Sequence, residues 1–258
     1  MSKAVQVSPA ADWYSQHGKM PRLYVPAAFV AGSDVALPDG PARHITRVLR
    51  MGEGAPLVLF DGQGFEAGVR LVEVSRKQTL ARVDAVWSGS GESPLSVHLG
   101  QAISKGDRMD YAIQKAVELG VAAITPLYTE RGDVRLKGDR EDKKHAHWQA
   151  VAASACEQSG RAVVPPVHPP MALQAWLAER REPLRLMLHL ATGKAFDRQD
   201  RPAAVALLIG PEGGLSENDI AAAQTATFTP LTLGPRVLRT ETAPIVALSL
   251  LQHYFGDL

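Results

Sequence analysis

The 258-residue sequence holds a single cysteine, Cys156, so neither an intrachain disulfide nor a cysteine metal cluster can form. Lying among alanines in a helical stretch, that cysteine reads as small core packing and not as a nucleophile. No stretch approaches the roughly 20 apolar residues that span a bilayer. Residues 1–10 lack a basic start followed by an apolar run, so no signal peptide is expected. The expectation is cytoplasmic residence with no membrane partner. Familiar catalytic signatures are missing too: there is no HExxH, GxSxG, GxxxxGK[ST] or GxGxxG. His145 and His147 stand two apart near Glu141 and Asp142 without a third obvious ligand, so no metal site is expected. Nor does one sign of charge dominate, with 28 Lys plus Arg against 27 Asp plus Glu. Locally the balance tilts: residues 1–50 carry six Lys or Arg against three Asp. A basic end on a near-neutral body can hold an anionic polymer, although a surplus this small also fits an ordinary soluble domain.

What is present suffices for a packed core, since 45% of the residues are hydrophobic. The first part reads as mostly β: Arg22–Val25, Pro56–Phe60, Phe65–Val74 and Gln78–Val86, with the turn Asp61-Gly62-Gln63-Gly64 making a hairpin. One helix, Ala42–Arg50, is embedded among these strands, and together they suggest a small barrel. Ile45, Val48 and Leu49 supply its apolar stripe, while Arg43, Arg47 and Arg50, with His44 beside them, fall on another side. That second side can reach phosphates or can be a plain solvated face. Trp87–Pro94 is the linker, with the boundary near residue 90. Beyond it, strands at Leu95–Ala102, Ala122–Leu127, Leu184–Leu190 and Ala203–Ile209 alternate with helices at Asp107–Leu119, Ala172–Glu179, Glu217–Ala223 and Thr242–Phe255, and another helix runs to about Ser159. The alternation implies an α/β layer with a mainly parallel sheet.

Four local patterns could carry chemistry. In Ile209-Gly210-Pro211-Glu212-Gly213-Gly214-Leu215-Ser216 an apolar strand meets a glycine-rich turn, and Ser216 with Asp219 offers a capping box. Ligands of open α/β sheets bind beyond the carboxyl ends of strands. Glu212 would repel a polyphosphate, so a neutral or cationic ligand suits the loop; a structural turn and cap suits it equally. The run from Leu233 through Pro244 crowds Arg236, Arg239 and Glu241 into a short loop, with Thr242 a candidate cap for the last helix. Its arginines suit a phosphate or a developing oxyanion, or else pair internally. Lys105 through Asp110 opens a helix where an anion could sit, or where Asp107 caps and Lys105 and Arg108 are solvated. Glu157 through Arg161 ends a helix at Gly160, leaving Gln158 to read a base or bind backbone.

Taken together, these motifs resemble the bacterial small-subunit ribosomal-RNA uridine-N3 methyltransferases, of the SPOUT or trefoil-knot class. The likeness rests on His44–Arg50, Leu59–Gly62, Lys105–Gly120, Glu130-Arg131, Glu157–Arg161, Ile209–Ser216 and Leu233–Ala243, and spans nearly the whole chain. It departs at Arg43, where a second histidine is common, at Val237, where isoleucine is frequent, and after Leu188, where a Glu-Lys-type signature is missing. The resemblance implies an α/β fold: a PUA-like RNA-binding β-barrel over residues 1–90 and a knotted α/β methyltransferase domain over 91–258. It further implies S-adenosylmethionine as cofactor, 16S rRNA of the assembled small subunit as partner, and a homodimer. The cofactor would be held by Leu188, Leu190, Ile209, Gly210, Pro211, Gly213, Gly214, Leu233, Gly234, Val237, Leu238, Thr242 and Ala243. RNA would be held by Arg22, Arg43, His44, Arg47, Arg50, Lys105, Arg108, Arg131, Gln158 and Arg161.

Chemistry assigns the remaining roles. Uracil N3 carries a proton and attacks a sulfonium methyl only after losing it, leaving negative charge on the ring oxygens. Arg239 is the leading candidate to stabilise that charge, with Glu241 or Glu212 accepting the proton or orienting Arg239. Ribose 2′-hydroxyl methylation and non-catalytic RNA binding in ribosome assembly are the competing readings.

Overall fold

The computed structural model describes residues 8–75, 77–189 and 201–258. The chain divides into two compact units, 1–92 with 156–164, and 93–155 with 165–258. A purely sequential division at residue 90 leaves segment 156–164 in the second of these. Among the described residues no helix is long and apolar enough to cross a membrane.

The first unit begins with helix α1 (Pro9–His17), which the sequence reading left out. Ser8 caps it by accepting from the Ala11 amide, Pro9 opens it, and Trp13 is its one buried side chain. A helix that buries a single residue leaves no apolar stripe to read. Strands β1 (Arg22–Tyr24), β2 (Asp34–Ala36), β3 (Pro56–Phe60), β4 (Phe65–Val74) and β5 (Thr79–Ser88) form a sheet in the order β1-β3-β4-β5-β2. Only β1 and β3 pair in parallel. Leu23, Leu57, Leu59, Val69 and Val83 pack beneath the sheet. The expected linker starts too early. Trp87 and Ser88 belong to β5, where Trp87 packs with Trp13 and donates to Glu66.

The expected helix Ala42–Arg50 is two pieces, α2 (Asp39–Arg43) and a π-helical turn (His44–Leu49) closed by Arg50 at φ 51°. The wider π turn breaks the i, i+3 alignment that an α-helix would give. Ile45 is therefore fully buried while Val48 is 66% exposed, so the stripe read from spacing is not one face.

The second unit is a six-stranded sheet of β6 (Ser96–Ala102), β7 (Ala123–Tyr128), β8 (Met171–Ala172), β9 (Leu184–Leu188), β10 (Ala204–Ile209) and β11 (Thr229–Leu231). Its order is β11-β9-β10-β6-β7-β8, and every pair is parallel. The central strand β10 is buried along Val205–Ile209, as expected for a strand covered on both faces. The connecting helices are α3 (Asp107–Glu118), α4 (Asp139–Ser159), α5 (Leu173–Glu179), α6 (Glu217–Thr225) and α7 (Thr242–Phe255). Because β11, β9 and β10 are neighbours and parallel, the segments leaving them emerge along one edge of the sheet.

Candidate active site

Three of those emerging segments wall a cavity of about 700 Å³. Leu188 and His189 come from the end of β9, Ile209 through Leu215 from β10, and Leu231 with Leu233 and Arg236–Glu241 from the end of β11. Ala243, in the first turn of α7, completes this wall, and Arg108 and Arg131 reach it from the ends of other elements. A binding cleft past the carboxyl ends of parallel strands is where this architecture places ligands.

The glycine loop has the turn and cap expected of it. Ser216 accepts from the Asp219 amide at 3.0 Å, and the Asp219 carboxylate accepts from the Ser216 amide at 3.3 Å, a complete capping box for α6. Gly214 lies at φ 69° and donates to the Pro211 carbonyl, a conformation that favours glycine. At Gly210 a Cβ would stand 3.1 Å from Leu215 Cγ, so the loop closes tightly on its own apolar anchor. Glu130 accepts from Asn218 at 3.0 Å; hydrogen bonds from Ser216 and Asn218 hold its carboxyl below the ordinary carboxylate range.

The arginine loop is less tied. Arg236 and Arg239 are exposed and have no ion-pair partner among the described residues, so the internal pairing of Arg239 with Glu241 is not formed. The amides of Thr242 and Ala243 both donate to the Arg239 carbonyl, which starts α7. Thr242 is the first helical residue and not the cap; that place falls to Glu241, whose side chain makes no capping bond. Pro244 sits in the first turn, where its missing N–H costs nothing. Across the cavity, Arg108 donates to Glu212 at 2.9 Å between half-exposed side chains. Arg131 donates to the Gly213 carbonyl at 3.3 Å.

All three expected catalytic residues, Arg239, Glu241 and Glu212, line the cavity. So do Leu188, Ile209, Gly210, Pro211, Gly213, Gly214, Leu233, Val237, Leu238 and Ala243. Gly234 and Thr242 do not, and Leu190 lies outside the described residues. Arg108 and Arg131, read as RNA contacts, belong to the cavity wall. His189 and Thr240, which fall within the loops expected to hold the cofactor, line it as well, as do Leu215 and Leu231, which lie outside those loops.

Two other expected RNA contacts need correcting. Arg22 is nearly buried, with its guanidinium paired to Glu66 at 2.6 Å, donating to the Cys156 and Arg161 carbonyls, and stacked over Phe60. Arg161 is 4% exposed and paired to Glu92 at 2.6 Å. Both are committed to the interior of the first unit and unavailable to a polyanion. Arg43, His44, Arg47, Arg50 and Gln158 are exposed. Lys105 is also exposed and pairs with Asp133 at 2.6 Å. Asp107 opens α3 without capping it.

Residues 91–252 match the model of an RNA methyltransferase domain, and residues 37–84 that of an RNA methyltransferase PUA domain. Ribosomal RNA small subunit methyltransferase E of Buchnera aphidicola is 34% identical over 242 residues, covering 93% of this chain and 98% of the relative. A crystal structure of the Neisseria gonorrhoeae protein of that name, bound to S-adenosyl methionine, is 39% identical with a TM-score of 0.87. It covers 93% of this chain and all of its own. A Legionella pneumophila structure with SAM bound as cofactor is 43% identical, with a TM-score of 0.89 and the same coverage. These matches correct the expected class. They indicate a PUA-like domain followed by an α/β domain, and none indicates a SPOUT assignment or a trefoil knot. By the share and identity of these matches, the chain belongs to the ribosomal RNA small subunit methyltransferase E family.

Proposed function

We propose that this chain, acting as a homodimer in the cytoplasm, methylates N3 of a uridine in 16S rRNA of the small ribosomal subunit, using S-adenosylmethionine. The enzyme is a methyl-donor-dependent rRNA methyltransferase. The observation that carries the reading is the shared cavity: the glycine loop and the exposed arginines of the Leu233–Ala243 loop face one space.

The cavity suits such a cofactor. Leu188, Ile209, Leu233 and Leu238 offer apolar walls for an adenine. Glu241 Oε2 is buried at the wall with no hydrogen-bond partner among the described residues, and it would accept from a ligand amine or hydroxyl. When bound, S-adenosylmethionine supplies an electrophilic methyl on a sulfonium.

The chain's own residues supply the rest. Uracil N3 must shed its proton before it can react, and the charge then spreads to the ring oxygens. Arg239 offers a fork of N–H donors and has no ion-pair partner among the described residues, so it donates to that developing oxyanion. Glu241 or Glu212 takes up the proton or orients Arg239. Glu212 is already engaged by Arg108, which favours Glu241. Arg43, Arg47 and Arg50 hold RNA phosphates on the first unit.

The test is methyl transfer to small subunits and to free 16S RNA, followed by nucleoside analysis. 3-Methyluridine is expected. A methyl on ribose, or no transfer with any RNA, would overturn the reading.

A further inference from the structure

Strand β6 buries a residue that its neighbours do not explain. Val97, Leu99 and Gln101 alternate onto one face of the strand and are all fully buried. The first two are apolar, whereas the third carries an amide whose unmet hydrogen bonds would cost about 1–3 kcal/mol there. In the register of β6 with β10, Gln101 pairs with Ile209, the residue before Gly210. Its Nε2 donates to Thr240 Oγ1 at 3.1 Å and to the Ala102 carbonyl at 3.3 Å. Thr240 is 5% exposed, and its hydroxyl donates to the Gly210 carbonyl at 3.0 Å.

Proton inventory fixes the direction of this chain. A carbonyl can only accept, so the one hydroxyl proton of Thr240 goes to Gly210. Thr240 must then accept from Gln101, which must present its NH2 and not its carbonyl. The relay Gln101–Thr240–Gly210 thus fastens the arginine loop to the glycine loop and both to the sheet. Thr240 also lies between Arg239 and Glu241, and all three line the cavity.

We infer that Gln101 and Thr240 are positioning residues for methyl transfer, holding Arg239 and Glu241 in register with the glycine loop. The inference rests on the function proposed above. A relay serving stability alone would also fill these bonds, so the test must read catalysis separately from folding.

Thr240→Val keeps the shape and removes both bonds, Thr240→Ser keeps the hydroxyl, and Gln101→Glu keeps the shape but, when ionised, loses the donor. Each variant is assayed for kcat and KM on small subunits, with thermal unfolding, beside the unsubstituted chain. Thr240→Val is expected to lower kcat about 10- to 100-fold, the scale of a small misplacement of reacting groups. KM for the subunit should stay within about threefold, because RNA binding is not what the relay supports. Thr240→Ser should recover most of the rate. Gln101→Glu should be poor near pH ~8 and gain on the unsubstituted chain as pH falls, since a protonated carboxyl donates to Thr240 again. Folded Thr240→Val with undiminished kcat, or Thr240→Ser as slow as Thr240→Val, would overturn the inference. If Thr240→Val does not fold, a Gln101→Glu profile parallel to that of the unsubstituted chain overturns it instead. No transfer by the unsubstituted chain would remove the functional reading itself, and the inference with it.

Discussion

Two pairs of arginines, one pair in each unit, are treated in opposite ways. In the first unit, Arg22 and Arg161 lie almost out of solvent and each meets a carboxylate, and Arg22 also donates to two backbone carbonyls. Around the cavity of the second unit, Arg236 and Arg239 are exposed beside apolar walls and meet no carboxylate among the described residues. A paired interior arginine supports the fold, whereas an unpaired one at a cleft is available to something that arrives. Sequence counts both as one positive charge, and only the structure separates them.

The contrast breaks most sharply at Arg239. Replacing it with alanine should lower kcat by about 100- to 1000-fold, as removal of one oxyanion donor does. Affinity for S-adenosylhomocysteine by calorimetry should change by no more than about threefold. Equal loss in both would make it a binding residue. Next in size is Glu66→Ala. Glu66 holds Arg22 and accepts from the Trp87 indole at 2.8 Å, so its loss leaves two buried donors without it. Breaking a buried pair costs about 3–5 kcal/mol, read as a lowered unfolding midpoint in denaturant. A change under about 1 kcal/mol would mean that the pair behaves as a surface bridge.

The exposed arginines of the first unit give a third test. Neutralising Arg43, Arg47 and Arg50 together should weaken RNA binding and flatten its dependence on log salt by about 2–3, with no new melting behaviour. An unchanged slope would assign that face to solvent.

A further test concerns acid. Burial first, then Arg180 and His168, pulls His98 down to about 3, so the folded chain keeps it neutral. The unfolded chain takes up its proton near the ordinary histidine value. The stabilisation is complete above that value and is lost as pH falls toward about 3, at up to about 1.4 kcal/mol per pH unit. His98→Asn should flatten the acid limb of stability against pH; an unchanged limb would place the titration elsewhere.

Much of this was legible in sequence. Strand β10 is apolar because both faces are covered, and Ser216 with Asp219 announced the start of α6 through local spacing. The glycine and arginine loops were legible as motifs, and their meeting follows from strand order, which periodicity does not carry. Other features depended on distant partners. Arg22 reads as a free cation until Glu66, forty-four residues on, is beside it. Gln101 reads as one polar residue at a strand end until Thr240 arrives across 139 residues. The π-helical turn at His44–Leu49 escaped because its wider turn leaves the i, i+3 spacing in the sequence while turning Val48 outward.

The direct test of the central claim is a crystal structure of the chain with S-adenosylhomocysteine. The ligand should lie between Ile209–Leu215 and Leu233–Ala243, with its sulfur toward Arg239. A ligand held elsewhere, or these two loops drawn apart around an empty cleft, would contradict it.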